Sequence, residues 1–457
     1  MGRDVGGRAS LPERASSAAD ALRSSFGFLS GVAMVAGLIA GFTLPLLDAT
    51  LNADLPVFEF ADRDAVRSLL QTVATTTVSV AGLSFSVTVV AFTLASSQLS
   101  PRVLRTFRSD RISQATLAVF LGTFIYCLVL LLRLGSAADG QPIPNLSVTL
   151  AMLLAFVAFA TFAGFIAHIV RMLQPSMLIQ TIHDTGRPLI EAPYPGRLGN
   201  APDDADAAAR EVAQRRALAP PARVHADEAG YFATLRGQQL LTIAADADAL
   251  VVQRARIGDY IVPGTLLAEI WTAREDGSDE LADSVRATFE LGSQRTPVQD
   301  PAFALRQLAD VALKGLSPGI NDPTTAENAM QAATALLVRA AMSDEPSRLR
   351  CSEDGVVRLV AHAPDLDDLV RLAFEQVRIF AAPYPVAARS LLRMLAQIDA
   401  AAGLRCTEPA RQAALVAEGS DGALPTTADV DGVRSTHAEL WSRRGDPERI
   451  ITGRDGR

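Results

Sequence analysis

The chain has 457 residues, of which 49% are hydrophobic, and a formal net charge of -8. This acidic balance argues against the basic surface that nucleic-acid binding requires, and three scattered cysteines exclude a disulfide framework or a paired zinc motif. The five histidines form no HExxH pattern, and Walker, GxGxxG and GxSxG motifs are absent, so we expect no cofactor, no metal site and no enzyme of a recognised class.

Four long, uncharged, apolar stretches in the first third of the chain predict four membrane-spanning helices. A helix needs roughly 20 apolar residues to cross the hydrocarbon core, and lipid requires every backbone amide to be bonded within its own segment. The stretches are residues 26–47, the segment between Arg67 and Arg102, residues 112–132 and residues 146–170. We therefore predict an N-terminal arm at 1–25 and a four-helix transmembrane domain at 26–171.

The second stretch is too long for one perpendicular crossing. No charged residue lies between Arg67 and Arg102, and a helix of that length, at about 1.5 Å per residue, reaches nearly 50 Å. We expect it to tilt, to kink near Gly82 or to project beyond the membrane.

Arginine placement predicts that both termini are cytoplasmic. Arginines are dense in the N-terminal arm and before the third span, whereas the first connection is acidic. They are Arg3, Arg8, Arg14, Arg23, Arg102, Arg105, Arg108 and Arg111. No small-residue cleavage site follows a short apolar run at the start, so we expect no cleavable signal peptide. The predicted location is the bacterial inner membrane, where the lipid bilayer is the first partner.

Small residues at four-residue spacing mark two of the spans. Ala33, Gly37 and Gly41 lie on the first span, and Ala160 and Gly164 lie on the fourth. Such stripes let helix backbones approach closely in lipid. We interpret both as packing positions within the bundle.

Hydroxyl side chains recur along one face of the second span. Every seventh residue is Thr72, Ser79, Ser86, Thr93 or Ser100, and the adjoining seam holds Ser68, Thr75, Gly82 and Ser96. A period of seven places these residues on one side of a supercoiled helix. The face either packs against other helices or lines a water-filled path, and both interpretations remain open. No Asp, Glu, Lys or Arg lies within a span, which argues against a proton relay or an ion-coupled pump.

After the spans, the composition predicts a cytoplasmic α+β region. Residues 172–221 predict a membrane-exit helix and a linker with at most one short helix. Residues 222–275 predict a small β module, with strand candidates at 231–236, 239–244, 249–255 and 265–271. Its segment 256–270 resembles half of a biotinyl- or lipoyl-like sandwich, but no lysine is present there to carry a cofactor.

Residues 276–406 predict a helical domain. Apolar spacing indicates a helix that Gly315 closes, and Asp322-Pro323 is placed to cap the next helix. Alanine-rich helices are predicted at 326–342, 365–381 and 385–402. Residues 407–457 predict an irregular C-terminal tail that contacts a partner.

One polar constellation flanks the helix that Gly315 closes. It comprises Arg295, Gln299, Asp300, Lys314, Ser317, Asn321, Asp322 and Thr324, and Lys314 is the only lysine in the chain. The free N–H groups of a helix start favour an anion, and the positive charges of Lys314 and Arg295 would strengthen that preference. Alternatively, Asp300 and Asp322 form ion pairs with these two basic side chains. Turns and caps explain the same residues without any ligand, so a ligand or regulatory site and a structural role both remain open.

Two long blocks of this sequence resemble the diagnostic stretches of a bacterial family of predicted membrane proteins of unknown function. They are VSVAGLSFSVTVVAFTLASSQLSPRVLRTF and ELGSQRTPVQDPAFALRQLADVALKGLSPGINDPTTA. The resemblance covers residues 26 to 400 and implies four spans followed by a soluble C-terminal region. It implies no activity. The basic residue that the family places before the LSP turn appears here as Lys314, followed by Gly315.

Two functional hypotheses follow. The first is a homo-oligomeric channel or transporter for small ions or solutes, gated by its cytoplasmic region, in which the arginines before the third span favour anions. The alternative is a membrane-anchored sensor or scaffold that binds a ligand or protein through that region. A weaker third hypothesis is an enzyme that uses Lys314, Asp300 and Asp322, although no nucleophile–base pair is recognisable.

Overall fold

The computed structural model describes residues 27–51, 62–98, 111–136, 143–172, 174–191, 198–272 and 278–442. The chain divides into two compact units, Met1–Gln174 and Pro175–Arg457. The predicted arm at 1–25, the arginines at 102, 105 and 108, and the hydroxyl of Ser100 lie outside the described residues.

Four long apolar helices form the described part of the first unit. They are α1 (Phe28–Leu51), α2 (Arg63–Gln98), α3 (Arg111–Ser136) and α4 (Asn145–Met172). Each is long and apolar enough to cross a membrane, which confirms the four predicted spans. The 36 residues of α2 extend about 54 Å at about 1.5 Å per residue, and the helix is unbroken at Gly82.

Helix α1 packs on α3 through glycines. A Cβ atom at Gly37 would lie 2.4 Å from the carbonyl oxygen of Gly122, and one at Gly41 would lie 2.8 Å from Cβ of Val129. This contact confirms the predicted packing role of the first stripe. The fourth-span stripe differs, because a Cβ at Gly164 would meet no atom of the described residues within 4 Å.

A polar contact holds the start of α4. The Asp48 carboxylate, at the end of α1, accepts hydrogen bonds from the Ser147 backbone N–H (3.0 Å) and hydroxyl (2.7 Å). The Tyr126 hydroxyl of α3 donates to the Ser147 carbonyl oxygen at 2.8 Å. Because helix starts leave N–H groups unpaired and carry partial positive charge, a carboxylate at this position stabilises α4.

The second unit combines helices with short strands. Its helices are α5 (Pro175–Glu191), α6 (Ala205–Leu218), α7 (Gly237–Asp246), α8 (Ser278–Arg286), α9 (Pro301–Gly315), α10 (Pro323–Met342), α11 (Leu366–Ala381), α12 (Pro385–Ala402), α13 (Glu408–Ala423) and α14 (Thr427–Ser442). Its strands are β1 (Ala222–His225), β2 (Gly230–Leu235), β3 (Leu250–Gln253), β4 (Tyr260–Ile261), β5 (Leu266–Trp271), β6 (Phe289–Gly292), β7 (Leu349–Cys351) and β8 (Val357–Val360). The predicted α+β class of this region is confirmed.

The strands form two small sheets. One has the order β1-β5-β3-β8-β7 and the other the order β4-β2-β6. Only β3 and β8 pair in parallel, with Val251 opposite Leu359, among the described strands. A core that includes Phe232, Leu240 and Ile270 packs inside this region.

Helix α7 corrects one strand prediction. Residues 239–244 were expected to be a strand, but they are helical. Leu240, Leu241 and Ala244 are buried, while Gln238, Gln239 and Thr242 are exposed. This spacing matches the 3.6-residue period of a helix, and it places all three side chains in the sheet core.

The predicted boundary between a β module at 222–275 and a helical domain at 276–406 is wrong. Strands β6, β7 and β8 come from the later segment and complete the two sheets. Parallel pairing needs a long crossover connection, so the partner of β3 lies far away in the sequence and leaves no local pattern. The linker prediction is also refined, since Ala208 and Val212 of α6 belong to the same buried cluster as Trp271.

The helices from α9 to α12 lie where they were predicted, including the cap at Asp322 and the end at Gly315. The predicted irregular tail is wrong over 408–442, where α13 and α14 form. Gln412, Ala413 and Val416 are buried, and both helices pack on α12. Glycines and polar residues hid this helical spacing. Residues 443–457 lie outside the described part.

Candidate functional site

The hydroxyl stripe of α2 lies on an exposed side of the first unit. Its candidate residues Thr72, Thr75, Ser79, Ser86 and Thr93 are all exposed. Four of these hydroxyls donate to the carbonyl oxygen four residues earlier, at 2.8–3.0 Å. At Gly82, on the same side, a Cβ would meet no described atom within 4 Å. The stripe is therefore not part of the buried surface between α2 and the other described helices.

A different face of α2 packs against the bundle. Its buried residues are Val66, Leu70, Ala74, Thr77, Ala81, Ser84, Thr88 and Ala91. Because a helix turns by roughly 100° per residue, this face lies nearly opposite the hydroxyl stripe. Sequence reasoning missed Thr77, Ser84 and Thr88 as packing residues. Their three- and four-residue spacing is the signal that could have identified them.

Arg295 and Asp300 form a buried ion pair at the start of α9. The guanidinium Nε lies 2.5 Å from Oδ2 and Nη2 lies 3.1 Å from Oδ1, and Asp300 is only 1% exposed. Asp300 also caps α9 by accepting the Ala302 N–H at 3.0 Å. Burial raises the pKa of Asp300, whereas the Arg295 contact opposes that rise. The bidentate geometry favours the ionised pair.

Two neighbouring residues lock this ion pair in place. A Cβ at Gly258, whose φ is +94°, would lie 2.4 Å from the Asp300 carboxylate. The Gln299 amide pairs with the end of β2, because its oxygen accepts the Leu235 N–H at 2.9 Å and its nitrogen donates to the Leu235 carbonyl. The Arg295–Asp300 segment thus joins α9 to the sheet region.

The remaining candidates lie at the other end of α9. Ser317 donates its hydroxyl to the Lys314 carbonyl at 2.7 Å, and the Asp322 N–H donates to the Gly315 carbonyl at 2.8 Å. Asn321 is exposed and has a left-handed φ of +51°, a conformation that asparagine adopts more readily than most residues. These contacts form the α9–α10 turn.

Asp322 is the N-cap of α10, as the sequence predicted. Its carboxylate accepts the Thr325 N–H at 3.0 Å, and hydrogen bonding from the Thr325 side chain, followed by that from its N–H, lowers the pKa of Asp322. Thr324 is exposed. The half-buried Lys314 ammonium makes no hydrogen bond or ion pair with any residue that the structure describes, so neither aspartate neutralises it.

The predicted constellation is therefore two separate groups. α9 has 15 residues, so at about 1.5 Å per residue roughly 20 Å separates its ends. Asp300 and Arg295 lie at the first end, and Lys314 with Asp322 at the second. This separation overturns the hypothesis of one active site that uses Lys314, Asp300 and Asp322 together. Among the described residues, no group of three or more His, Cys, Asp or Glu side chains is placed to hold a metal ion.

Sequence reasoning missed a cleft that Arg295 borders. Its volume is about 310 Å³, and its walls include Arg256, Arg306, Asp368 and Arg371. The Arg256 Nη1 donates to Asp368 at 2.9 Å, and its Nε donates to the His362 Nε2 at 2.6 Å. Burial, followed by the neighbouring Arg256 charge, lowers the pKa of His362. These residues come from distant segments, so no local motif connects them.

Four apolar helices followed by an α+β region define a multi-pass membrane protein. The chain belongs to the family described as predicted membrane protein (DUF2254), whose model matches residues 23–397. This match confirms the resemblance carried by the two sequence blocks. An uncharacterized protein of Mycobacterium bovis is 29% identical over 419 residues, which cover 89% of this chain and 77% of the relative.

Uncharacterized proteins from two Mycobacterium tuberculosis strains, H37Rv and CDC 1551, match with the same identity and coverage. No solved structure matches the chain. The comparisons therefore identify the family and its membrane character.

Proposed function

We propose that this protein is a homo-oligomeric inner-membrane channel or transporter for small ions or solutes, with both termini in the cytoplasm. In this proposal α2 lines the path and the C-terminal region controls passage. The observation that supports it is the exposed hydroxyl face of α2, nearly opposite its packing face. Polar groups within a membrane usually face a bundle interior or a water-filled cavity. A ring of chains would give this face such an environment.

The chemistry of the face suits a wet path. The hydroxyl hydrogens of Thr72, Ser79, Ser86 and Thr93 are already donated to backbone carbonyls. Each oxygen keeps acceptor capacity, so the row offers outward acceptors to water or solute. We assign the preference for anions to the arginines that lead into α3, of which Arg111, the first residue of the helix, is exposed. No catalytic step is part of the proposal.

Liposome flux tests this proposal directly. Ser86→Leu combined with Thr93→Leu replaces two acceptors by apolar bulk, and we expect anion flux to fall at least tenfold. Thr161→Leu is the matched control, because Thr161 of α4 donates to its own i−4 carbonyl in the same way but lies outside α2. Absence of flux in the parent protein, or equal flux in the double variant, contradicts the proposal.

A second role, as a membrane-anchored scaffold, is favoured by Lys314. Its ammonium has no ion-pair partner among the described residues. In the adjacent turn, Ile320 is 40% exposed. An uncompensated cation beside an exposed apolar side chain suits an acidic protein partner. The scaffold role is compatible with the same membrane anchor.

Lys314→Ala tests the scaffold role. We expect Lys314→Ala to abolish co-purification of a partner from gently solubilised membranes, whereas Lys314→Arg retains it because the charge remains. Since Lys314 is the only lysine, an amine-directed cross-linker should join the partner to this position in the parent chain alone. Identical partner recovery and cross-linking in Lys314→Ala would exclude the role.

A further inference from the structure

We propose that the second unit binds a phosphorylated small molecule in the arginine-lined cleft beside Arg295. The cleft volume of about 310 Å³ is within the size range of small-molecule sites. Its walls come from the turn after β3, from α9 and from α11. The cleft therefore lies where the sheet region meets the helices. This inference is independent of the channel proposal.

Four guanidinium groups reach the cleft from different segments. Arg256 follows β3, Arg295 precedes α9, Arg306 lies within α9 and Arg371 lies within α11. All four side chains are partly exposed, between 23% and 44%. They are accessible to a ligand in the cleft, and their anchoring contacts limit their freedom.

The carboxylates around the cleft anchor the guanidinium groups but do not use all of their N–H donors. Asp368 bridges two guanidiniums, accepting from Arg256 at 2.9 Å and from Arg371 at 3.2 Å. Arg371 also approaches Glu408 at 3.6 Å through Nε. These contacts use Nε and Nη1 of both arginines, and among the described residues the Nη2 groups donate to nothing. A guanidinium carries five N–H donors, so capacity remains for a ligand.

Arg306 is the least constrained member of the group. Its ion pair is a 3.4 Å contact to Asp310, one turn along α9. The Asp300 carboxylate is buried behind Arg295 and is only 1% exposed. The residues that line the cleft include four arginines and three carboxylates, Asp259, Asp368 and Glu375. Asp300, Asp310 and Glu408 pair with three of these arginines from outside the lining, so the case for an anion rests on the free N–H donors and not on net charge.

The arginine donors and the apolar lining residues of the cleft define the ligand class. The planar fork of arginine matches a phosphoryl group with two parallel hydrogen bonds. Ile257, Leu369 and Leu372 supply apolar surface in the same cleft, which suits an organic group attached to the phosphate. In a phosphorylated organic molecule, the phosphoryl group would bind the arginines and the organic group would contact the apolar residues.

The test uses the full-length protein in detergent and isothermal titration at constant ionic strength. The probes are inorganic pyrophosphate, ATP, citrate and a short-chain phosphatidylglycerol. We expect pyrophosphate and ATP to bind, and Arg306→Gln to raise their Kd at least tenfold. Arg339→Gln is the matched control, because Arg339 pairs with Glu191 away from the cleft, and its Kd should stay within twofold.

The outcomes separate the sources of the phosphate. Tighter binding of pyrophosphate or ATP identifies a free metabolite, whereas tighter binding of phosphatidylglycerol, with the same loss in Arg306→Gln, identifies a lipid headgroup. The proposal is overturned if no phosphoryl probe binds, if citrate binds as tightly as pyrophosphate, or if Arg339→Gln weakens binding equally. Tryptophan fluorescence confirms that each variant is folded, since both tryptophans, Trp271 and Trp441, lie in the second unit.

Discussion

Asp300 shows how one side chain organises the RTPVQD segment, residues 295–300, without a ligand. A buried charge is tolerated only when it is paired and hydrogen-bonded, and Asp300 has both Arg295 and the Ala302 N–H as partners. The ion pair also fixes Arg295 at the edge of the cleft. Its structural role therefore prepares a side chain for the proposed ligand.

Gly258→Ala should disrupt this ion pair. The new Cβ would lie 2.4 Å from the Asp300 carboxylate and 2.7 Å from the Arg295 Nε, so the pair must move. We expect a loss of about 2 kcal/mol or more in the free energy of unfolding, from the clash together with left-handed strain. Denaturant unfolding followed by tryptophan fluorescence measures it.

Gly264→Ala is the control for backbone strain alone. Gly264 has a φ of +86°, but a Cβ there would meet no described atom within 4 Å. We expect a loss of about 1 kcal/mol, since only the left-handed conformation is penalised. Equal destabilisation by the two substitutions would show that the ion pair tolerates the added methyl group.

At the scale of elements, α2 carries hydroxyl side chains on two faces, one exposed and one buried, and the sequence alone does not tell the two faces apart. The seven-residue repeat correctly groups Thr72, Ser79, Ser86 and Thr93 on one side of the helix. It does not reveal which side packs, because serine and threonine satisfy their own hydrogen bonds on either face. Only the neighbouring helices α3 and α4 decide that Ala81 and Thr88 are covered.

Gly37→Leu should loosen the contact between α1 and α3. Its Cβ would lie 2.4 Å from the Gly122 carbonyl oxygen, a backbone atom that cannot rotate away. We expect the temperature at which half of the detergent-solubilised protein aggregates to fall by several degrees. Gly164→Leu on α4, where a Cβ would meet no described atom within 4 Å, should leave it unchanged. Equal behaviour of both variants would contradict glycine-mediated packing.

Helix α9 explains why adjacency in sequence misled the site prediction. Arg295 and Lys314 belong to one continuous block of the sequence, yet a rigid helix of 15 residues separates them. The caps at Asp300 and Asp322 were predictable, because short-range rules govern helix starts. The cleft was not, since Arg256 and Arg371 meet only after the chain folds.

At the scale of the whole molecule, the channel proposal requires more than one chain. The hydroxyl face of α2 is exposed in the single chain, so another copy must supply the opposite wall of the path. A stable ring should therefore exist in a membrane environment. In such a ring, Ser79 and Ser86 would face the path and not the outer surface, while α2 itself would stay helical.

Mass measurement in lipid nanodiscs tests that expectation. Each chain has a mass of 48.4 kDa, and we expect a defined multiple of three or more chains. Ser86→Leu with Thr93→Leu should retain the multiple, so that loss of flux is attributable to the path itself. A monomer at all protein concentrations would eliminate the channel role and leave the scaffold role.

The sequence by itself determined the membrane class, the four spans, the helices α5 and α9 to α12, and the cap at Asp322. Uncharged length, periodicity and capping act over a few residues, so a local pattern reveals them. Only the tertiary structure decided that β8 completes the sheet of β3, that the hydroxyl face of α2 points away from its own bundle, and that Arg256, Arg306 and Arg371 share a cleft with Arg295. These features depend on contacts between segments that are far apart in the sequence. Such contacts form only when the chain folds, so no local pattern predicts them.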